Sequence, residues 1–292
     1  MLSASADLVP RGFRERVVAT VLRLGLRLAL KPKLAPDVPI VEQRRRFLQL
    51  ARLTWPRDSK VEPATVGGVP GEWVRAGAAS RASILYLHGG AYCVGSAASH
   101  RAITARLAQA AGMPVFSPDY RLAPEHPHPA AIEDAIAVSR ALATQGPVVL
   151  AGDSAGGGLA LWAARAVPAS RALVLFSPWI DLAAAYPPQG DATLRGDWLA
   201  ACAHHYLAGA TPSLLEIDFA GLPPVLIQAG SDEILRADAC RLHEALARDG
   251  VTARCEIVPG RWHAFQLHAG WLPSADAAIA RAAAFIAEAL AR

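Results

Sequence analysis

Residues 148–161 read VVLAGDSAGGGLAL: an apolar run, then Gly152-Asp153-Ser154-Ala155-Gly156, then a run of small and apolar residues. No other stretch constrains the fold as strongly. A strand that turns into a helix across a single residue brings the positions two before and two after Ser154 together. Side chains there would clash, so glycine is needed at both. The same turn pushes the serine hydroxyl out at the carboxyl end of the strand, above a helix N-terminus that favours developing negative charge. G-x-S-x-G between strand and helix is the pattern of a nucleophile elbow. A plain glycine-rich turn is the bland alternative. A phosphate loop would need G-x-x-x-x-G-K-[ST], and no Lys follows.

The chain around this block alternates in the same way. Short apolar runs at 84–87, 115–117, 148–151, 172–176, 225–228 and 253–258 predict strands, several of them buried on both faces. Helical patterns near 100–111, 131–144, 155–167, 236–248 and 275–290 lie between them. Strand–helix alternation predicts an α/β fold, a mostly parallel central sheet flanked by helices. With 292 residues, 53% hydrophobic and 18% charged, the chain can bury a large core, and dominant disorder is excluded. No apolar run reaches the roughly 20 residues that span a bilayer.

Two segments depart from the alternation. Residues 1–60 predict an N-terminal helical cap segment, in which residues 1–55 read as two amphipathic helices without strands. In the first, Phe13–Leu30, Val17, Val21, Leu24 and Leu28 share a face opposite Arg16, Arg23 and Arg27, and Pro32 and Pro36 end it. The second spans about Val41–Leu53. Residues 61–292 are expected to form the catalytic domain, with a largely helical cap insertion at about 182–220. Residues 1–62 hold 13 Lys and Arg against 6 Asp and Glu, a net of +7 against −3 for the rest, so the excess positive charge lies at this end. A basic end can meet nucleic acid or anionic lipid. The expected reading is the wet face of ordinary helices, with no nucleic-acid partner, and with the apolar face of Phe13–Leu30 covering the active-site mouth rather than contacting a membrane. Arg23 and Arg27 interrupt a secretory h-region, and Cys93, Cys202, Cys240 and Cys255 match no zinc or disulfide pattern. Both point to the cytoplasm.

A second block, ILYLHGGAYCVGS at 84–96, ends a strand in His88-Gly89-Gly90-Ala91-Tyr92. Acyl transfer passes through an oxyanion that needs preorganised N–H donors, and an HGGG-type loop supplies them beside a nucleophile elbow. Gly90, Ala91 and Ala155 are the expected donors, with Gly89 as a further candidate; His88 is read as orienting the loop. A triad of this architecture runs Ser, acid, His along the chain. Asp232, in PPVLIQAGSDEIL, comes first out of its strand and turn and is the expected acid, with Glu233 as the alternative; either carboxylate can accept an imidazole N–H. His263, in VPGRWHAFQL, follows the last strand and is preferred to His268. In PVFSPDYRLAPEHPHPAAIEDA, residues 114–135, the prolines fix a bend and Arg121 and Glu125 are expected to pair. His126 and His128 sit among turn-forming prolines, so no metal and no cofactor is expected. Tyr92, Trp198 and Tyr206 are the expected pocket walls.

HGGAY, DYRLAPEHP, GDSAGG, SDEIL and HAF, in that order, resemble the bacterial hormone-sensitive-lipase-like esterases of the α/β-hydrolase superfamily, over roughly residues 70–290. GLPPVLIQAGSDEIL at 221–235 is also similar to a lactone-hydrolase subgroup. The resemblance implies an eight-stranded sheet, a helical cap and serine-dependent hydrolysis of short- to medium-chain carboxylic esters. It puts Ser154, Asp232 and His263 at the triad positions and Gly90, Ala91 and Ala155 at the oxyanion positions. Two departures stand out: the family's third loop glycine is Ala91 here, and Glu233-Ile234 stands where Pro-Leu often follows the acid. A non-catalytic small-molecule receptor on this scaffold would be expected to have lost a triad member. The expected partner is a small ester or lactone. A homodimer through an exposed edge strand near Ala253–Val258 is a further expectation.

Overall fold

The computed structural model describes residues 2–3, 8–9, 12–56, 60–75, 80–187, 190–214 and 217–292. In it the six expected strands form: β4 (Ser83–Leu87), β5 (Val115–Pro118), β6 (Val148–Asp153), β7 (Ser170–Phe176), β8 (Val225–Gly230) and β9 (Ala253–Val258). They run parallel in the order β9-β8-β7-β6-β4-β5. Their continuous apolar character has a physical cause. Alternate residues of one strand enter different cores: Leu85, Leu150 and Leu173 pack on one face, and Ile84, Val149 and Ala172 on the other. Helices α4 (Ala130–Ala143), α5 (Ala155–Ala166) and α7 (Arg236–Arg248) cover the first face; α3 (Arg101–Ala111) and α8 (Pro273–Leu290) cover the second.

Among the described residues the sheet has the expected eight strands and, at one edge, a further pairing of two residues. The hairpin β2 (Lys60–Val66) and β3 (Val69–Arg75) is antiparallel to the rest through β3–β5 pairing. Sequence reading did not anticipate it, because Pro63 and a solvated face hide the strand pattern. Its turn is Gly67-Gly68, both at positive φ, a combination that suits a two-residue hairpin. At the opposite edge β1 (Leu2–Ser3) pairs with Cys255 and Glu256 of β9. The edge expected to be open to a second copy is therefore occupied along these two residues by the chain's own start.

The N-terminal helices form as expected, α1 over Phe13–Gly25 continuing as a wider π-turn through Leu30, and α2 over Ile40–Ala51. Which face of α1 turns inward differs from expectation. Ala19 and Leu30 are buried, whereas Val17, Val21, Leu24 and Leu28 are exposed. Among the described residues the insertion at 182–220 contains one α-helix, α6 (Gly196–Leu207), and is otherwise mostly irregular. Trp198 Nε1 of α6 donates to Gln43 Oε1 of α2 at 2.7 Å, both side chains buried, which ties the insertion to the N-terminal helices.

Candidate active site

Ser154 stands between β6 and α5 with φ 54° and ψ −121°, a left-handed strain of about 1–3 kcal/mol that only surrounding contacts can sustain. Its N–H donates to Phe176 O, and its carbonyl accepts from Gly157 and Trp179 N–H groups, so three segments lock the turn. A Cβ at Gly152 would collide with Gly156 O, and one at Gly156 with Leu87 O, so both elbow glycines are sterically required.

His263 follows β9 and is buried, and it lines a cavity of about 320 Å³ together with Ser154. Its Nδ1 faces Glu233 Oε1 at 3.6 Å, an ion-pair separation slightly longer than a hydrogen bond. Neither atom has a hydrogen-bond partner among the described residues. Apo catalytic contacts are often this loose and tighten with substrate. Glu233 is held from behind: Oε2 accepts from Gly230 N–H and from Ser177 Oγ, each at 2.7 Å. Ser177 Oγ in turn accepts from Ala264 N–H at 3.0 Å. One buried hydroxyl thus links Glu233 to the residue following His263. Burial favours the neutral imidazole, but the Glu233 carboxylate outweighs it and raises the His263 pKa above its ordinary value.

Asp232, the expected acid, is not the carboxylate that meets His263. Asp232 points the other way, with its side chain 42% exposed; its Oδ2 accepts from Arg23 of α1 at 2.8 Å and its Oδ1 from Ser231 Oγ. Burial opposes ionisation there, but the hydrogen bonds from Ser231 and Arg23 outweigh it and hold the carboxyl below its ordinary pKa. In the turn after β8 the second residue of the pair is the one that faces inward: Glu233 is buried and Asp232 exposed.

The 88–92 loop is organised by Asp153, the residue before the serine. Its buried Oδ1 accepts from Tyr86 OH at 2.8 Å and Gly89 N–H at 3.0 Å, and lies 3.4 Å from His100 Nε2. The Gly89 N–H is therefore committed to Asp153 and drops out of the expected oxyanion donors. Gly90 and Ala91 line the cavity, and Ala155 is the first residue of α5; no acceptor for these three N–H groups occurs among the described residues. Ala91 adopts φ 52°, so the residue replacing the family's glycine takes the left-handed conformation itself. His88 is no base: burial pushes its pKa down to about 3, and its ring stacks on Tyr120 at 4.2 Å.

Of the expected pocket walls, Trp198 lines the cavity. Tyr92 and Tyr206 do not; they stack on each other at 3.9 Å in the core. The walls come instead from α1 and its extension (Leu22, Leu26, Leu30), from α2 (Phe47, Leu50) and from Leu194 of the insertion. Arg121 pairs with Asp134 and Glu133 rather than Glu125. Glu125 instead meets Arg44 of α2, which also donates to Cys93 O and Ala123 O, fastening the N-terminal helices to the loop after β4 and to the proline bend. Ser177, Asp153 and Arg44 had no sequence signal of their own beyond their neighbours. Among the described residues no three His, Cys, Asp or Glu side chains converge as a metal would require.

A family profile described as the alpha/beta hydrolase fold matches residues 84–267. An acetyl-hydrolase of Streptomyces hygroscopicus is 41% identical over 241 residues, covering 76% of this chain and 81% of that protein. An esterase of Acinetobacter venetianus is 34% identical over 290 residues, 91% of this chain and 93% of that one. The crystal structure of an esterase from the bacterial hormone-sensitive lipase family superposes with a TM-score of 0.83 at 34% identity, covering 96% of this chain and 99% of that chain.

Proposed function

This chain belongs to the alpha/beta hydrolase fold family and is a carboxylic ester hydrolase of the bacterial hormone-sensitive-lipase type, and we propose that Ser154, His263 and Glu233 are its catalytic triad. The observation that carries the assignment is the buried Glu233–His263 pair sharing a cavity with a serine on a strained elbow. With Nδ1 turned to Glu233, the other ring nitrogen of His263 is left to take the proton from Ser154 Oγ as it attacks the ester carbonyl. Glu233 orients the ring and stabilises the imidazolium. Negative charge on the tetrahedral oxygen is held by the N–H groups of Gly90, Ala91 and Ala155. The alcohol departs with the proton from His263, and water, activated by the same ring, releases the acid from the acyl-enzyme.

Residues 1–60 and the 182–220 insertion serve as the cap in this reading, since the cavity walls are drawn from both. A nearly apolar cavity of about 320 Å³ suits an uncharged ester of short to medium chain. His268, also in the wall, fits that reading, because burial pushes its pKa down to about 4 and leaves it neutral. The cytoplasm fits the four free cysteines. Among the described residues no helix is long and apolar enough to cross a membrane.

Purified Ser154→Ala is expected to lose p-nitrophenyl butyrate hydrolysis by about 10⁶ in kcat, the scale seen when a triad serine is removed. Retained turnover, or fluorophosphonate labelling of the variant equal to wild type, would overturn the assignment. A panel of esters of increasing acyl length, with lactones included, sizes the cavity and decides between open and cyclic substrates.

A further inference from the structure

Five apolar residues of α1 and its extension, Phe13, Val17, Val21, Leu24 and Leu28, follow one another along a single face and turn into solvent, with Phe13 76%, Leu24 56% and Leu28 69% exposed. Scattered exposed apolar side chains need no explanation, but a continuous stripe does. The stripe leads to the cavity: Val21 is both exposed and part of its wall, and so are Leu53 and Trp271 across the opening. At about 3.6 residues per turn, Arg16 and Arg27 flank the stripe on one side and Arg14 on the other, all three exposed. Between residues 12 and 34 Glu15 is the only acid, and it is buried against Arg261 and Ser274.

We infer that this face of α1, with Leu53 and Trp271 at the cavity mouth, is a docking surface for an anionic lipid bilayer. An apolar stripe edged by arginines, with an aromatic at the rim, is the pattern of a helix lying in a membrane interface. The charge decides the occupant. A second copy seated on the same stripe would bring arginines against arginines with no exposed acid on the helix to offset them, whereas anionic headgroups complement them. Docking here sets the cavity mouth against the acyl region, so an ester dissolved in the bilayer could enter without crossing water. What is delivered rests on the ester-hydrolase reading; the docking itself does not.

The test is flotation of the full chain with vesicles of phosphatidylcholine alone and of equal parts phosphatidylcholine and phosphatidylglycerol, at low and raised salt. Wild type is expected to float with the anionic vesicles only, and less at raised salt. Leu24→Asp/Leu28→Asp is expected to bind at least about tenfold more weakly. Neither residue lines the cavity, so hydrolysis of soluble p-nitrophenyl acetate stays at the wild-type rate. Absence of flotation with anionic vesicles, undiminished flotation of the double variant, or a wild-type dimer that the double variant dissolves would each overturn the proposal. Wild type that floats but hydrolyses no ester would instead sink the catalytic reading and leave the docking intact.

Discussion

Two neighbouring carboxylates give the sharpest test of the site. Glu233→Gln removes the negative charge 3.6 Å from His263 Nδ1, where both side chains are buried. At an effective dielectric of about 20, that separation corresponds to about 4–5 kcal/mol of attraction to the imidazolium formed in the transition state. This is about 10³ in rate, and neutralising the acid of a serine triad costs about 10⁴ where it has been measured. The expected loss in kcat is therefore about 10³–10⁴, with KM little changed because the lost charge acts on the imidazolium formed in the transition state. Asp232→Asn breaks only the partly exposed pair with Arg23, worth at most about 1 kcal/mol of stability. Its kcat should stay within about threefold of wild type, since a screened surface pair does not touch the reacting groups. Steady-state hydrolysis of p-nitrophenyl butyrate by both purified variants, with thermal denaturation to confirm folding, reads the difference. A crippled Asp232→Asn beside an active Glu233→Gln would show that the reasoning from side-chain direction is wrong.

The same pair sets the pH dependence. His263 must be neutral to act as base, so kcat/KM should fall as pH drops through its pKa, with a midpoint above the ordinary histidine value; in Glu233→Gln burial is opposed only by the charges of Asp191 and Asp153, and the midpoint should move down. A wild-type midpoint below the ordinary value would contradict the assignment. Ser177→Ala removes the hydroxyl that spans Glu233 and the Ala264 N–H, and should lower kcat about tenfold or more with little change in KM, the signature of lost preorganisation; an unchanged kcat together with an unchanged pH midpoint would deny it a positioning role. Gly156→Ala sets a methyl group against Leu87 O and His88 O, and should cost about 1–3 kcal/mol or more, seen as a lower Tm; an unaltered Tm would show that the elbow is less tight than its contacts imply.

How far these features are legible in the chain depends on the length scale of the physics that fixes them. The parallel core was legible because each central strand buries both faces and so writes its burial as a continuous apolar run, as in β6 and β8. The elbow was legible because its sterics are local to Gly152 and Gly156. Direction was harder to read. Whether Asp232 or Glu233 faces His263 depends on how the turn after β8 is seated, and that is set by Gly230 N–H and by Ser177, a residue 56 positions away that carries no motif. The same limit governs α1. Its hydrophobic period correctly gave a helix with an apolar stripe, and a rule that apolar faces turn inward then placed the stripe over the cavity. The structure seats the helix by Glu15 on Arg261 and Ser274 and by Arg23 on Asp232 and Gly260 O, polar anchors that roll the stripe outward. Periodicity reports that a face is distinct; long-range polar contacts decide which way it looks. For this chain that choice separates a helix that only roofs the cavity from one that also presents an apolar surface at its rim.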